Sequence, residues 1–493
     1  MSATRSVRGG TEVDAVVVGA GPNGLAAAVT LARAGLSVHL VERADSVGGG
    51  TSSRELTLPG FVHDVCSAVH PLAFESRFFR EFDLARRVEF ITPEVSFGHP
   101  LDGGGGAVAY RDLERTREGL GTDGAAYASL IGPLAERAGA IADLTGQPLL
   151  RVPSDPIAAA AFAAATLEQG SRAWNVRFRG RAAPALLTGA AAHTSLPLPS
   201  LPSAGAGLAL TAYAHARGWP IPRGGSQAIA DAMRDDILAH GGRIETGVDV
   251  TDLADLPRAR ATLLDVTPRA LVRMAGAGLP DRYRRALSRF HYGNGSAKVD
   301  FALSEPVPWA NPEMRRAGTL HLGGSREEIS AGENAVASGR LSELPYVLAS
   351  QPSVFDDTRA PAGMHTLWTY THVPPGSTED RSEAVIRQIE RFAPGFRDTI
   401  VGVSSWSAAE LQEHNPNYPG GDISAGTPDL LQLVRRPVLG NDPWRTPLPG
   451  VYLASASVTP GPGVHGLVGW LAARSALRHE FGVEAWPNLS VGA

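Results

Sequence analysis

Cysteine is almost absent: Cys66 is the only one in 493 residues. That excludes an intrachain disulfide, a C-x-x-C redox pair and every cysteine-rich zinc site. Charge of one sign is lacking too. The chain carries 45 basic and 50 acidic residues, a net charge of −5, with no like-charged block, so nothing suggests nucleic acid or another polyanion as a partner. Lysine is equally rare: Lys298 is the only one, and arginine fills every other Lys/Arg position.

An uninterrupted apolar run long enough for a bilayer is also missing. The first apolar run, 15–18, breaks into glycines and is too short for a secretory h-region, so a cytoplasmic protein is expected. Residues 182–216 contain no Asp, Glu, Lys or Arg, but Pro184, Pro197, Pro199 and Pro202 interrupt them, beside Gly189, Gly205 and Gly207. Freed backbone groups are costly in a bilayer core, so this stretch reads as a buried wall. Apolar surface of this kind suits a peripheral membrane contact or the lining of a channel for an apolar ligand. Nothing here fixes an oligomeric state.

What is present begins at "DAVVVGAGPNGLAAAVTLARAGLSVHLVER". Residues 16–18 predict a buried strand, 25–34 an alanine-rich helix and 38–41 a second buried strand, which together make a βαβ unit. Gly19, Gly21 and Gly24 occupy the G-x-G-x-x-G positions, with Pro22 and Asn23 between them. The first glycine permits the turn, the second lets backbone approach a pyrophosphate, and the third lets helix and strand pack closely. The helix start offers free N–H groups to phosphates. Glu42 ends the second strand, where an acid accepts the hydroxyls of an adenosine ribose, and Arg43 follows it.

That fingerprint alone does not separate FAD from NAD. The next stretch, "ERADSVGGGTSS", places Gly48, Gly49 and Gly50 just beyond the acid. Here the sequence resembles the flavoprotein superfamily of amine oxidases and carotenoid desaturases, whose E-R/K-x(n)-G-G segment passes along bound FAD. "PRGGSQAIADAMRDDILAHGGRIETGVDV" looks like that superfamily's second FAD segment, with Ser226 a helix N-cap and Val248 on a strand near the adenine. "GVYLASASVTPGPGVHGLVGWLAARSAL" reads as a strand at 451–454, a turn, and a helix starting within 463–466. The resemblance implies that this helix start, with Gly463, Val464 and His465, faces the flavin pyrimidine ring. A helix dipole's positive end, bare of side chains, stabilises charge on a reduced flavin.

Nearly the whole chain is similar to the phytoene dehydrogenase-related branch, through "GFVHDVCSAVHPL", "GWPIPRGGSQAIADAM", "ALSEPVPW" and "NPNYPGGDISAG" among others. In one departure, the hairpin that usually follows the second FAD segment is replaced by a nearly direct run from Val250 to Leu263, which implies a more open adenine side.

At 493 residues the chain is too long for one ordinary core. The expected fold is α/β, a Rossmann-like FAD-binding domain interleaved with an α+β substrate domain. The FAD-binding parts span 12–90, 220–298 and 421–485; the substrate segments span 91–219 and 299–420. The resemblance implies an FAD-dependent oxidoreductase of desaturase or oxidase type, moving a hydride from a largely apolar substrate to flavin N5. A redox-neutral double-bond isomerase and a non-catalytic flavin-binding regulator are the alternatives.

Lys298 is the one side chain with a proposed part in chemistry. A similar strand in amine oxidases carries a lysine that holds a water near flavin N5, and the alternative is a solvated polar strand face shared with Ser296 and Asp300. Trp368, Tyr370 and His372 alternate and so face one side, as core or as substrate wall. His63, Cys66 and His70 are too incomplete a set for a metal site, and no metal is expected. No second dinucleotide fingerprint follows a strand: "DGGGG" at 102–106 reads as a hairpin loop.

Overall fold

The computed structural model describes residues 12–492. Its first layer is a five-stranded, all-parallel sheet in the order Val451–Leu453, Ala259–Leu264, Val13–Val18, Val38–Val41, Arg243–Glu245. Parallel strands carry helices on both faces and therefore read as continuous apolar runs, as "VVV" and "VHLV" do here. Helix Pro22–Arg33 begins three residues before the expected 25, because Pro22 has its φ already set for the first helical position and no N–H to lose.

The last helix, Leu467–Phe481, packs along this first one. The contact is so close that a Cβ on Gly469 would lie 1.7 Å from the Asn23 carbonyl oxygen. Helix Gln227–Ala239 joins the same layer through buried Asp236, which takes Arg33 at 2.6 Å and Arg87 at 2.9 Å.

The second layer is a seven-stranded sheet ordered Ile400–Trp406, Gly295–Leu303, His365–Val373, Val347–Ser350, Ala317–Leu322, Val95–Pro100, Gly106–Tyr110. All its pairs are antiparallel except Ala317–Leu322 with Val95–Pro100. Glycines 103–105 lie in the connection between its last two strands, the hairpin loop expected there, and Gly106 opens the second of them. Helices Ala182–Ala191 and Leu201–Ala216 cover part of one face, and their small residues let them approach: a Cβ on Gly207 would sit 2.7 Å from the Ala191 backbone. Residues 182–216 thus form buried wall, and among the described residues no helix is long and apolar enough to cross a membrane.

The chain passes between the layers where Phe90–Ile91 pairs antiparallel with Ile221–Pro222. The boundary set at 298/299 falls inside Gly295–Leu303, all nine residues of which pair with His365–Val373. A strand that belongs wholly to one sheet cannot be divided between two units, so the crossing precedes Gly295.

Candidate functional site

The first parallel strand ends at Val18, and Gly19 turns the chain with φ +96°, a conformation that L side chains rarely adopt. A Cβ on Gly24 would stand 1.9 Å from the Gly19 carbonyl oxygen, which fixes this position as glycine by contact alone. Glu42 closes the neighbouring strand. Its carboxylate accepts the Ala20 N–H at 2.6 Å and the Ala44 N–H at 2.7 Å, holding the turn against the strand end. Val248 donates its N–H to the Glu42 carbonyl at 2.9 Å, so the expected adenine-side residue sits beside the expected ribose-side acid. Arg43 reaches outward to the His414 carbonyl oxygen. Gly49 lies against Gly21, and Gly50 faces the Tyr418 hydroxyl, 2.6 Å from where its Cβ would be.

The C-terminal segment arrives on the same sheet edge, because Val451–Leu453 pairs with Thr262–Leu264 one strand away from Val13–Val18. Its helix begins at Leu467, later than 463–466, since Gly463 and Gly466 have φ of +139° and +64° and cannot join a right-handed helix. His465 is buried and both ring nitrogens are used. Nδ1 accepts the Leu467 N–H at 3.0 Å, satisfying one of the free donors of the helix start, and Nε2 faces the Gly461 carbonyl at 3.2 Å. Burial pushes its pKa down to about 4, which keeps the ring neutral and able to accept.

One cavity of about 1180 Å³ joins these parts. Its wall contains Gly19, Gly21, Pro22, Asn23, Glu42, Arg43, Gly49, Gly50, Val248, Gly463, Val464 and His465, every nucleotide-side residue expected from the sequence except Gly24, which faces inward. The wall then continues through His193, Thr194 and helix Leu201–Ala216 to Trp219, and to Thr319, Trp368 and Tyr370 of the second layer.

Asp265 was not anticipated. It follows the Ala259–Leu264 strand directly, and its Oδ2 accepts the Gly24 N–H at 2.9 Å, 2.8 Å from where a Cβ on Gly21 would be. Burial raises its pKa to about 7, and the nearby Glu42 charge adds to the rise while the Gly24 bond opposes it. A group this close to a glycine turn suits a phosphate only when protonated, and burial brings that form into play near neutral pH. Its position at the end of the third central strand was the available signal.

Three expectations need correction. Lys298 lies on neither a solvated face nor the cavity wall: Gly295–Leu303 is buried throughout, and the ammonium pairs with Asp300. It stands opposite Tyr370 in the sheet and its ammonium lies 5.8 Å from the centre of the Trp368 ring, so these two rings line the cavity in its place. Ser226 sits at a helix start, but its hydroxyl caps nothing; it donates to the Ser67 carbonyl and meets His70 Nε2 at 2.7 Å. Trp368 and Tyr370 are wall residues as well as core, whereas His372 turns its Nδ1 to buried Glu333 at 2.8 Å.

His63 belongs to a buried charge cluster. Its Nδ1 is 3.6 Å from Asp300, and neighbouring Asp64 pairs with Arg359 at 2.6 Å, both side chains fully buried. Arg359 also donates to the Val62 carbonyl and Val62 N–H to Arg359, which ties the 53–64 hairpin to the segment before His365.

Comparison with known proteins agrees with this architecture. Residues 17–82 match the family described as an NAD(P)-binding Rossmann-like domain. The chain is 25% identical over 552 aligned positions to the rat protein named pyridine nucleotide-disulfide oxidoreductase domain-containing protein 2, covering 95% of this chain and 94% of that one. Among solved structures it resembles an oxidoreductase from Methanosarcina mazei, with a TM-score of 0.57, 18% identity and coverage of 95% and 100%. A putrescine oxidase bound to putrescine gives a TM-score of 0.59 at 17% identity, covering 94% and 98%. At such identities the structures establish the fold: a mixed α/β protein with a Rossmann-like domain, shared over nearly the full length of proteins named as oxidoreductases.

Proposed function

We propose that the chain is an FAD-dependent oxidoreductase of desaturase or oxidase type, acting on a largely apolar, uncharged substrate. The observation that carries this reading is the continuity of one cavity from the glycine turn and Glu42, past Gly49 and Gly50, to the helix start at Gly463–His465 and then into an apolar chamber. A nicotinamide nucleotide would use the same turn, but the far end favours a flavin: a glycine-flanked helix start on the cavity wall, whose positive dipole end suits charge on a reduced flavin ring even with the Leu467 N–H taken by His465.

Bound there, FAD supplies a hydride acceptor at N5. The protein's own tasks are to bind and orient. Glu42 would offer its remaining lone pairs to ribose hydroxyls, Val248 would close the adenine side, Asp265 in its protonated form would stand beside the diphosphate, and neutral His465 keeps the helix start ordered. Trp368, Tyr370 and helix Leu201–Ala216 exclude water from the chamber. Lys298, held by Asp300, has no part in this scheme.

Protein purified with FAD is expected to be yellow and to release FAD on denaturation; colourless protein after supplementation refutes the proposal. Anaerobic mixing with apolar candidates then sorts the chemistry. Bleaching of the flavin supports oxidation, product without net bleaching supports isomerisation, and binding with neither supports a regulatory role.

A further inference from the structure

The cavity is charged at one end only. Its ionic wall residues are Glu42, Arg43, Arg54, Asp249, Asp265 and Arg273, all on the nucleotide side. Among the described residues, the wall contributed by 142–219 and by 319–370 includes no Asp, Glu, Lys or Arg. A cationic or anionic substrate would enter this chamber without a counter-charge, at a cost of several kcal/mol.

One imidazole faces this neutral chamber. His193 follows helix Ala182–Ala191 and lines the cavity, with its ring centre 5.7 Å from that of Trp219, another wall residue. Behind it stands His321, fully buried on the Ala317–Leu322 strand, with the two Nε2 atoms 2.8 Å apart. Exactness of tautomer follows from the orphan atom: His321 Nδ1 is buried and has no partner. A proton on that nitrogen would be an unpaired buried donor, which folded proteins rarely tolerate, whereas a bare lone pair is tolerated more often. The proton of His321 therefore sits on Nε2 and is donated to His193 Nε2. His193 must then carry its own proton on Nδ1, its remaining ring nitrogen. Desolvation keeps both rings uncharged, with the His193 pKa pushed down to about 3.

We propose that His193 is a specificity-determining residue whose Nδ1–H donates a hydrogen bond to a neutral oxygen acceptor, a carbonyl or a hydroxyl, on an otherwise apolar substrate, and that His321 positions it by fixing its tautomer. The proposal rests on the reading of this chamber as the substrate site beside the flavin. It gives that substrate one polar handle and no charge.

The test uses holoprotein and three probes of equal chain length, 2-tridecanone, tridecane and tridecylamine, followed by calorimetry, which needs no change in the flavin. The ketone is expected to bind about tenfold more tightly than the alkane, the upper end of what one net hydrogen bond supplies, and the ammonium most weakly. His193→Leu should bring the ketone down to the alkane and leave the alkane unchanged. His193→Asn, which keeps an N–H at the δ position, should retain most of the preference. Equal binding of ketone and alkane by the unaltered protein, tighter binding of the amine, no binding of any probe, or a ketone preference that survives His193→Leu would each overturn the proposal. Colourless protein that still ranks the probes as expected refutes the flavin reading alone; yellow protein that does not rank them refutes the His193 assignment alone.

Discussion

The two ends of the cavity are built on opposite plans. The nucleotide end is made of backbone: a glycine turn, two helix starts and strand ends, with a few charged side chains at its edge. The substrate end is made of side chains, aromatic and aliphatic, set on the mostly antiparallel sheet and on helices Pro156–Gln169 and Leu201–Ala216. Backbone sites need particular residues at fixed spacing, because clearance and φ leave no choice. Side-chain sites need only the right volume and polarity in the right place, which many sequences supply. The first kind is legible in a sequence and the second is not.

The sharpest way to break the comparison is to add side chain where the backbone site forbids it. Gly469→Val would place its Cβ 1.7 Å from the Asn23 carbonyl and drive the first and last helices apart. Overpacking of this kind costs several kcal/mol, and here the expected result is loss of soluble, FAD-retaining protein. A yellow, folded variant would mean that the two helices do not meet at this point.

Between the layers the decisive contact is ionic and buried. Arg359→Met leaves Asp64 without its guanidinium, although Asp64 still accepts from Ser53 and Ser226 N–H. Removing one partner of a buried pair costs about 3–5 kcal/mol, and urea unfolding should report that loss. A loss under 1 kcal/mol would show that the cluster between the hairpin and the second sheet is relaxed.

Asp265 gives the nucleotide end a pH dependence. Its raised pKa of about 7 means that the folded state favours the protonated form more than the unfolded chain does. Its contribution to stability is therefore complete below about pH 4, the unfolded value, and declines until the pH passes about 7. Between pH 5 and pH 8 the apoprotein should lose about 3 kcal/mol from this group, two pKa units at about 1.4 kcal/mol each. Asp265→Asn should remove that part of the slope, measured as the difference between urea curves of the two proteins at the two pH values. An unchanged slope would mean that Asp265 is ionised beside the glycine turn.

Particular residues show where sequence reasoning reached and where it stopped. The strand at 38–41 matches its observed bounds, because a short apolar run between a turn and an acid has little freedom in a parallel sheet. The last helix was found but its start was misplaced by one to four residues, because glycine is read as helix-compatible until its φ is known. Asp265 meets Gly24 across 241 residues, and His193 meets His321 across 128. No local pattern marks either pair: Asp265 reaches Gly24 because its strand pairs with Val13–Val18, and His193 reaches His321 because its segment packs on the second sheet.

Lys298 is instructive, since alternation along its strand put Ser296, Lys298 and Asp300 on one face, and the resemblance to amine oxidases set the flavin beside solvent as what that face would meet. The face is covered by protein behind the cavity wall, and Asp300 takes the ammonium. Lys298→Met should therefore leave flavin reoxidation within about twofold of the parent, as expected of a group that does not touch the reacting atoms. Its effect should appear in stability and only at higher pH. Burial has already lifted the Asp300 pKa to about 6 with Lys298 lowering it, so without the lysine the carboxyl stays protonated to a higher pH and is costly to ionise above that. Melts at pH 5 should differ little between variant and parent, and those at pH 8 should differ clearly. A large fall in reoxidation at both pH values, with unchanged melts, would restore Lys298 to the flavin and make this strand a part of the chemistry.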